Sequence, residues 1–457
     1  MRFLFLFVVL LALPVVAQAE DVPEVAALSL QEALVRTYLE NPELAAARAE
    51  FRGVQEQLPQ AQAGFKPTIA AEAGISSTDL SGSNFNGAEG STEKTVGLSV
   101  NQPVFRGGRT VAQIGAARHV IDANLARLID LEQDVLLRST TVYLDILRDR
   151  ALLDLAQNNF KVLAEELIAT EQRFEFGELT KTDVSQAKAR LAEAESDIIS
   201  ARGAISRSEA QFFQLINQSP AGIEAPDLAL EMPESLDEAI MAAERSSPLI
   251  VYARSIYEAS KDDIGDVFGG LLPEVNLFSS WNRAFDPIPG VVDEATNRSV
   301  GLVASIPLYQ GGADRSRLRA AKHVKNQRSL EVVEVKREVQ RLVTEEWEDY
   351  QTAKSQITSR TAQVDAAAIA EEGTRKEAEF GARTVLDTLD AQQEHLDARV
   401  ALVTAEHDDL VARFALLKAM GVLTPETLGF GDRAQDYGRN LQAIQWKIFD
   451  TDVDSVQ

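Results

Sequence analysis

The 457 residues include 45 Lys or Arg against 70 Asp or Glu, a formal net charge of −25, and such a balance repels phosphate backbones and excludes nucleic-acid binding. Cysteine is absent and only four histidines occur. Disulfide frameworks, thiolate metal sites and catalytic thiols are thereby removed, and the histidines show no metal-ligand spacing. With aromatics at 6%, the composition leans toward long helices.

The chain opens with Arg2, an apolar run over 3–16 and Ala17-Gln18-Ala19. This is the pattern of a cleaved signal peptide over 1–19, so export is expected. The run is too short to span a bilayer, and no later stretch reaches ~18 consecutive apolar residues. Membrane entry would therefore not be by helices, and without cysteine there is no lipid anchor.

A first unit is expected over 20–230. An amphipathic segment rich in Ala, Leu and Glu predicts a helix over about 29–62. After Pro67 the period becomes two, with Ile69, Ala71, Ala73 and Ile75 on one face of a strand over about 67–77. Past a polar loop, Val96, Leu98, Val100 and Val104 alternate over about 94–105. Strands of about ten residues suit a tilted transmembrane strand, and a soluble sheet with one buried face fits the alternation equally well. After Gly107-Gly108 a helix of roughly 100 Å is expected over 109–176. Ile121, Leu128, Val135 and Val142, then Ile146, Leu153, Phe160, Leu167 and Phe174, recur every seven residues, the spacing of a left-handed coiled coil. A glycine-containing break at 177–179 returns the chain into a helix over about 180–217.

The second unit, 231–430, repeats the first. Leu30-Gln-Glu-Ala-Leu34 recurs as Leu236-Asp-Glu-Ala-Ile240, and Asn41-Pro42 as Ser247-Pro248, both 206 positions on. Val96-Gly-Leu through Phe105-Arg-Gly-Gly108 recurs as Val300-Gly-Leu through Tyr309-Gln-Gly-Gly312 at an offset of 204. The elements expected are a helix over about 235–268, strands over about 273–282 and 299–308 around a loop at 282–298, a long helix over 313–380 and a return helix over 384–420. In each unit the two shorter helices, end to end, match the long one in length. A tail, 431–457, carries Tyr437, Trp446 and Phe449 among polar residues; packing around the middle of the helices and disorder near its end both fit this pattern. Four strands cannot close a transmembrane barrel, so membrane insertion would require assembly; two chains supply eight strands and three supply twelve.

The turn segments Arg173-Phe-Glu-Phe-Gly-Glu-Leu-Thr-Lys-Thr-Asp183 and Glu379-Phe-Gly-Ala-Arg-Thr-Val-Leu-Asp387 resemble the helix-turn-helix tips of the TolC family. The Pro-Val-Phe-Arg-Gly-Gly and Pro-Leu-Tyr-Gln-Gly-Gly strand ends resemble that family too, and the likeness runs over about 29–430. It implies an α+β, mainly α fold: a trimeric 12-stranded transmembrane β-barrel, four strands per chain, continued by a long periplasmic α-helical coiled-coil barrel. The implied role is an outer-membrane channel-tunnel, the passive exit duct of a tripartite efflux pump or type I secretion system. Implied partners are two further copies, a periplasmic adaptor (membrane fusion) protein and an inner-membrane transporter of ABC, RND or MFS type, with no cofactor.

The resemblance also carries residues over. Arg383 matches the arginine that closes the periplasmic end against a Thr-Asp pair, here Thr182 and Asp183. Asp387 and Asp390, three apart and on one helical face, match the constriction aspartates, which in a trimer form a cation-selective ring of six. Gly177, Glu178, Leu179 and Thr180, with Gly381, Ala382, Arg383 and Thr384, match the adaptor-docking tips. The family's gate tyrosine is replaced by Ala378, so one closing hydrogen bond is either absent or supplied by another residue. Without the resemblance, Arg383 reads as a solvated helix-end charge, the two aspartates as an exposed acid pair, and the glycines as turn residues only. Gly107-Gly108-Arg-Thr110 lacks the Gly-Lys-Ser/Thr of a phosphate loop and reads as a strand-to-helix turn. His119 and His323 read as solvated. No constellation of nucleophile, base and orienting group is visible, so the chain reads as no enzyme. The competing reading is a soluble periplasmic coiled-coil adaptor or scaffold.

Overall fold

A computed structural model describes residues 28–78, 91–220, 222–226, 230–288 and 292–444; the expected signal peptide, Trp446 and Phe449 lie outside them. The N-terminal segment is broken into α1 (Leu30–Glu40), α2 (Pro42–Gln55) and α3 (Gln57–Gln62), where one helix over 29–62 was expected. Proline at position 42 lacks an amide hydrogen and forces its predecessor out of the helical region. Asn41 accordingly sits at φ −66, ψ 125, and its Oδ1 caps the amides of Glu43 and Leu44. Strands β1 (Thr68–Thr78) and β2 (Ser91–Arg106) follow, then α4 (Arg109–Glu175) and α5 (Lys181–Ile216). The second unit repeats the plan with α6 (Leu236–Ser246), α7 (Pro248–Gly269), β3 (Glu274–Ile288), β4 (Val292–Ser305), α8 (Ala313–Glu379) and α9 (Val385–Ala419). Ser247-Pro248 splits the segment expected as one helix over 235–268, as Asn41-Pro42 does in the first unit. A short α10 (Gly438–Ile444) lies in the tail.

The four strands form one antiparallel sheet in chain order β1-β2-β3-β4. Most of the expected loop over 282–298 is strand: the β3–β4 ladder continues outward through Asn282↔Asn297 to Phe285↔Glu294. The apolar alternation stops there, but backbone pairing does not need it, and an Arg283–Glu294 ion pair at 2.5 Å links the strands. At its other end β4 stops at Ser305 rather than 308, two residues before Pro307, whose nitrogen cannot join a ladder. The register aligns Ile69, Val100 and Val300, and Ala71, Leu98 and Trp281, on one face. Ser99, Ser280 and Ser299 align on the other. No part of β1 is buried on either face, and Ile69, Ile75, Val300 and Leu302 are 62–77% exposed. A soluble half-buried sheet would cover its apolar face.

Below the sheet α4 and α8, 67 residues each, run about 100 Å. Gly107 sits where α4 leaves β2; a Cβ there would stand 2.3 Å from the Gly269 carbonyl, so this is a tight strand-to-helix turn packed on α7. Toward the sheet α4 packs on α2, α3 and α7, and α8 on α7 and α6; toward the tips they pair with α5 and α9. The main core joins α1, α4, α5 and the end of α9 through Leu34, Tyr38, Leu136, Tyr143, Phe212 and Phe414. Of the seven-residue seam, Ile121 through Ile146 is buried, whereas Leu153, Phe160 and Leu167 are half-buried and Phe174 is exposed. Nearer the tip Leu155, Leu163 and Thr170 are the buried positions, so the buried stripe within one chain leaves the expected seven-residue seam there.

His119, expected in solvent, instead lies 3.6 Å from Asp262 of α7, while His323 is exposed. The tail is tied down by Tyr437, which bonds the buried Glu132 carboxylate beside Arg48.

Candidate functional site

At the end remote from the sheet each hairpin turns through the same sequence logic. Gly177 and Gly381 both sit at φ 76, left-handed backbone that glycine adopts at little cost. Each closes the preceding helix: the Glu178 amide donates to the Arg173 carbonyl at 3.0 Å, and that of Ala382 to Glu377 at 2.9 Å. Thr180 and Thr384 then cap the return helices. Asp183 Oδ2 accepts from the Thr180 amide and hydroxyl, both at 2.8 Å, and Asp387 Oδ2 from those of Thr384 at 2.9 and 2.8 Å. These are reciprocal capping boxes. Their backbone amides, and next their hydroxyls, hold the Asp183 and Asp387 carboxyls below the ordinary range.

The two aspartates given separate roles in the sequence are thus equivalent by the internal repeat. Asp387 is a first-turn cap, and Asp390 lies one turn farther along α9, paired with an arginine. Arg383 donates to Glu377 at 2.9 Å within its own tip; among the described residues of one chain it meets neither Thr182 nor Asp183. Arg173 and Glu178 make the corresponding pair at the first tip, at 3.3 Å. Leu179, expected on the docking surface, packs partly against a cluster formed by Leu163, Ala194, Val385 and Leu389. Thr182 is exposed, as are Gly177, Glu178, Gly381, Ala382 and Thr384. Ala378 lends only its carbonyl, to Gly381 at 3.0 Å.

Three residues escaped the sequence. Phe176 and Phe380, 83% and 88% exposed, occupy equivalent points of the tips and could have been found from their identical place before the turn glycine. Arg190 bridges α5 to Asp390 of α9 at 2.8 Å, 200 positions away, and no local pattern announces such a contact. The same holds farther from the tips. His407, almost buried on α9, lies 2.9 Å from Asp145 of α4, and Lys418 of α9 pairs with Asp134 of α4. Burial opposes charge on His407, but the Asp145 and Asp408 carboxylates outweigh it and raise its pKa.

Among the described residues no group of three or more His, Asp or Glu is placed to hold a metal, and no helix is long and apolar enough to cross a membrane. The arrangement instead places ion pairs, helix caps and exposed side chains at the ends of two hairpins.

The sequence matches the family described as outer membrane efflux protein twice, over residues 32–218 and 239–422, once per unit. It is 30% identical to the outer membrane efflux protein BepC of Brucella suis, over 92% of this chain and 91% of that one. It is 23% identical to the outer membrane protein TolC of Escherichia coli, over 88% and 84% of the two chains. The fold matches the crystal structure of the outer membrane protein VceC of Vibrio cholerae with a TM-score of 0.74 at 21% identity, covering 86% of this chain and 96% of that one. These matches decide between the channel and the soluble scaffold in favour of the channel: the chain belongs to the outer membrane efflux protein family.

Proposed function

We propose that three copies of this chain close a twelve-stranded barrel in the outer membrane, continued by a tunnel of twelve helical strands in the periplasm, and that the assembly is a passive exit duct without catalysis. The observation that carries the reading is the sheet: four strands with uncovered apolar side chains and two unpaired edges, β1 and β4. Uncovered apolar side chains are unfavourable in water and unpaired edges in lipid; insertion into the membrane covers the first, and joining edges between copies removes the second. A periplasmic adaptor would dock at the tips, through the exposed stretch Gly177–Glu178 and Gly381–Ala382 and the flanking Phe176 and Phe380, and an inner-membrane transporter would supply energy and choose the cargo.

In the closed duct Arg383 would exchange Glu377 for Thr182 and Asp183 of a neighbouring copy. The Thr180 bonds to Asp183 use Oδ2, which leaves Oδ1 to accept a guanidinium. Asp387, likewise bonded through Oδ2, and Asp390 would ring the lumen as a cation-binding neck. The test is single-channel recording of purified protein in planar bilayers, with hexaamminecobalt(III) added from each side. The reading expects a small cation-selective current blocked from one side, with the block lost in Asp387→Ala/Asp390→Ala. Folded protein that conducts nothing and leaves membranes with salt alone refutes it.

A further inference from the structure

We propose that the outer end of the sheet binds the doubly phosphorylated head group of a glycolipid in the outer leaflet, through Lys94, Arg283 and Arg298. This rests on the barrel reading above, in which the sheet spans the membrane and the helices lie on its periplasmic side.

The register sorts the charges of the sheet by face. Lys94 pairs with Ile75 and Phe285, Arg283 with Val96, and Arg298 with Trp281. All three cations therefore share the apolar face, while Glu72 and Glu93 lie on the opposite one. From Arg298 toward the helices the described strand residues of the apolar face carry no further charge, among them Ile69, Leu98, Val100, Leu277 and Leu302. A cation turned to hydrocarbon is costly at the middle of a membrane and tolerated near its surface, where the stem snorkels toward the head groups. The cations thus mark the head-group level at the end of the sheet remote from the helices, and Trp281 beside Arg298 is an aromatic suited to that boundary. Joining edges between copies leaves this face open.

The internal repeat fixes their height. Lys94 and Arg298 lie 204 positions apart, the offset that equates Val96 with Val300, so they are one position of the doubled unit and sit level around a barrel. Arg283 falls between them. From β2 through β3 to β4 each cation stands one pleat repeat nearer the helices, the stagger of a level line across strands tilted by about 35–45°. Neighbours on such a diagonal are about 7–8 Å apart, so the three cover a span that phosphates at the two ends of a disaccharide can bridge. Lys94 and Arg298 are exposed and form no ion pair among the described residues. Arg283 donates Nη2 to Glu294 Oε2 at 2.5 Å and lies 5.1 Å over the Phe285 ring, which orients its guanidinium, and its Nε has no partner. Three cations against one acid leave an excess of positive charge that suits two phosphates and not a zwitterionic head group.

The experiment reads lipid binding to the purified assembly in detergent by native mass spectrometry. The probes are bis-phosphorylated lipid A, its monophosphoryl form and phosphatidylethanolamine. The wild type should bind them in that order of decreasing affinity. Lys94→Gln/Arg298→Gln should lose about thirty-fold in affinity for lipid A, at about five-fold for each cation removed, while Lys94→Arg/Arg298→Lys should keep it. Equal binding of the three lipids by the wild type, or an unchanged affinity in the double glutamine variant, overturns the proposal. Inorganic pyrophosphate that displaces lipid A at equal concentration overturns it too, since the patch would then hold phosphate without preference for a lipid. The order of the three lipids is read on the wild type alone, so a variant that fails to assemble does not spare the proposal. Conductance in planar bilayers of phosphatidylethanolamine separates the site from the duct. A wild type that conducts but shows no lipid preference refutes the site and keeps the duct. One that conducts nothing, yet binds lipid A and loses it in the glutamine variant, refutes the duct and keeps the site.

Discussion

Substituting Arg48 tests how the tail is held to the helical body. Its guanidinium is buried against Glu132, with side-chain exposures of 5% and 7% and a separation of 2.8 Å. It also donates to the Tyr38 carbonyl at 2.7 Å and the Tyr437 hydroxyl at 3.2 Å, and stacks 4.4 Å over the Tyr38 ring. Arg48→Met preserves much of the stem's packing but leaves Glu132 buried with only Tyr437 as donor. Breaking one side of a buried pair costs about 3–5 kcal/mol, since the surviving charge is uncompensated. Arg48→Met/Glu132→Gln removes that charge while keeping an acceptor for Tyr437, so about 1–2 kcal/mol should remain, the cost of lost hydrogen bonds. Hydrogen–deuterium exchange of α2 and of residues 431–444 reads this directly, because those amides exchange through local opening. At about 1.4 kcal/mol per decade, the single variant should lose roughly a thousand-fold in protection and the double about ten-fold. A double variant as unprotected as the single would show that unpaired charge is not the cause, and a loss below ten-fold in the single would refute the network's role.

The remaining predictions concern the hairpins. His407 has a raised pKa and Asp145 a lowered one. The histidine's contribution is therefore full below about 6.5 and lost as pH rises through its folded value; that of the aspartate is present above about 3.9 and lost as pH falls. Amide exchange in α9 around His407 should accelerate on the alkaline side, and His407→Gln should abolish that step; its persistence would assign it to another group. Thr384→Ala keeps the backbone amide that does most to depress the Asp387 pKa but removes the hydroxyl that adds to it, costing about 1 kcal/mol of helix stability. Protonation of Asp387 should then begin at higher pH, which a carboxyl-carbon NMR titration reads; an unshifted midpoint would contradict the capping account. Gly381→Ala, at φ 76, should destabilise the tip by about 1–2 kcal/mol and expose the Ala382 amide to exchange. Gly373→Ala, in the interior of α8 with open space around its missing Cβ, should stabilise by about 0.5–1 kcal/mol. Equal signs for the two glycines would refute the backbone argument.

Much of the tips was legible locally. Gly177 and Gly381 mark the reversals because only glycine enters left-handed backbone cheaply, and Thr180-x-x-Asp183 and Thr384-x-x-Asp387 carry the capping-box spacing in full. That spacing was available to show that Asp183 and Asp387 share one structural duty before either serves a gate. The helix breaks at Pro42 and Pro248 were equally local, since proline restrains its predecessor whatever surrounds it. The outer ends of β3 and β4 were not legible, because ladder bonds are made by backbone and persist where side-chain alternation has ended.

By itself the sequence determined the doubled unit, through motifs repeated 204–206 positions apart, and the strand and helix types and the turns between them, which are matters of neighbours within one or two helical turns. Only the tertiary structure decided that the sheet's apolar side chains stay uncovered by their own chain, that Arg190 meets Asp390 and that His407 meets Asp145. Those contacts join positions some 200 residues or more apart, and a charge on an exposed helix face looks the same in sequence whether it faces water or a partner. Its energy depends on distance and burial, which exist only once the two hairpins lie side by side.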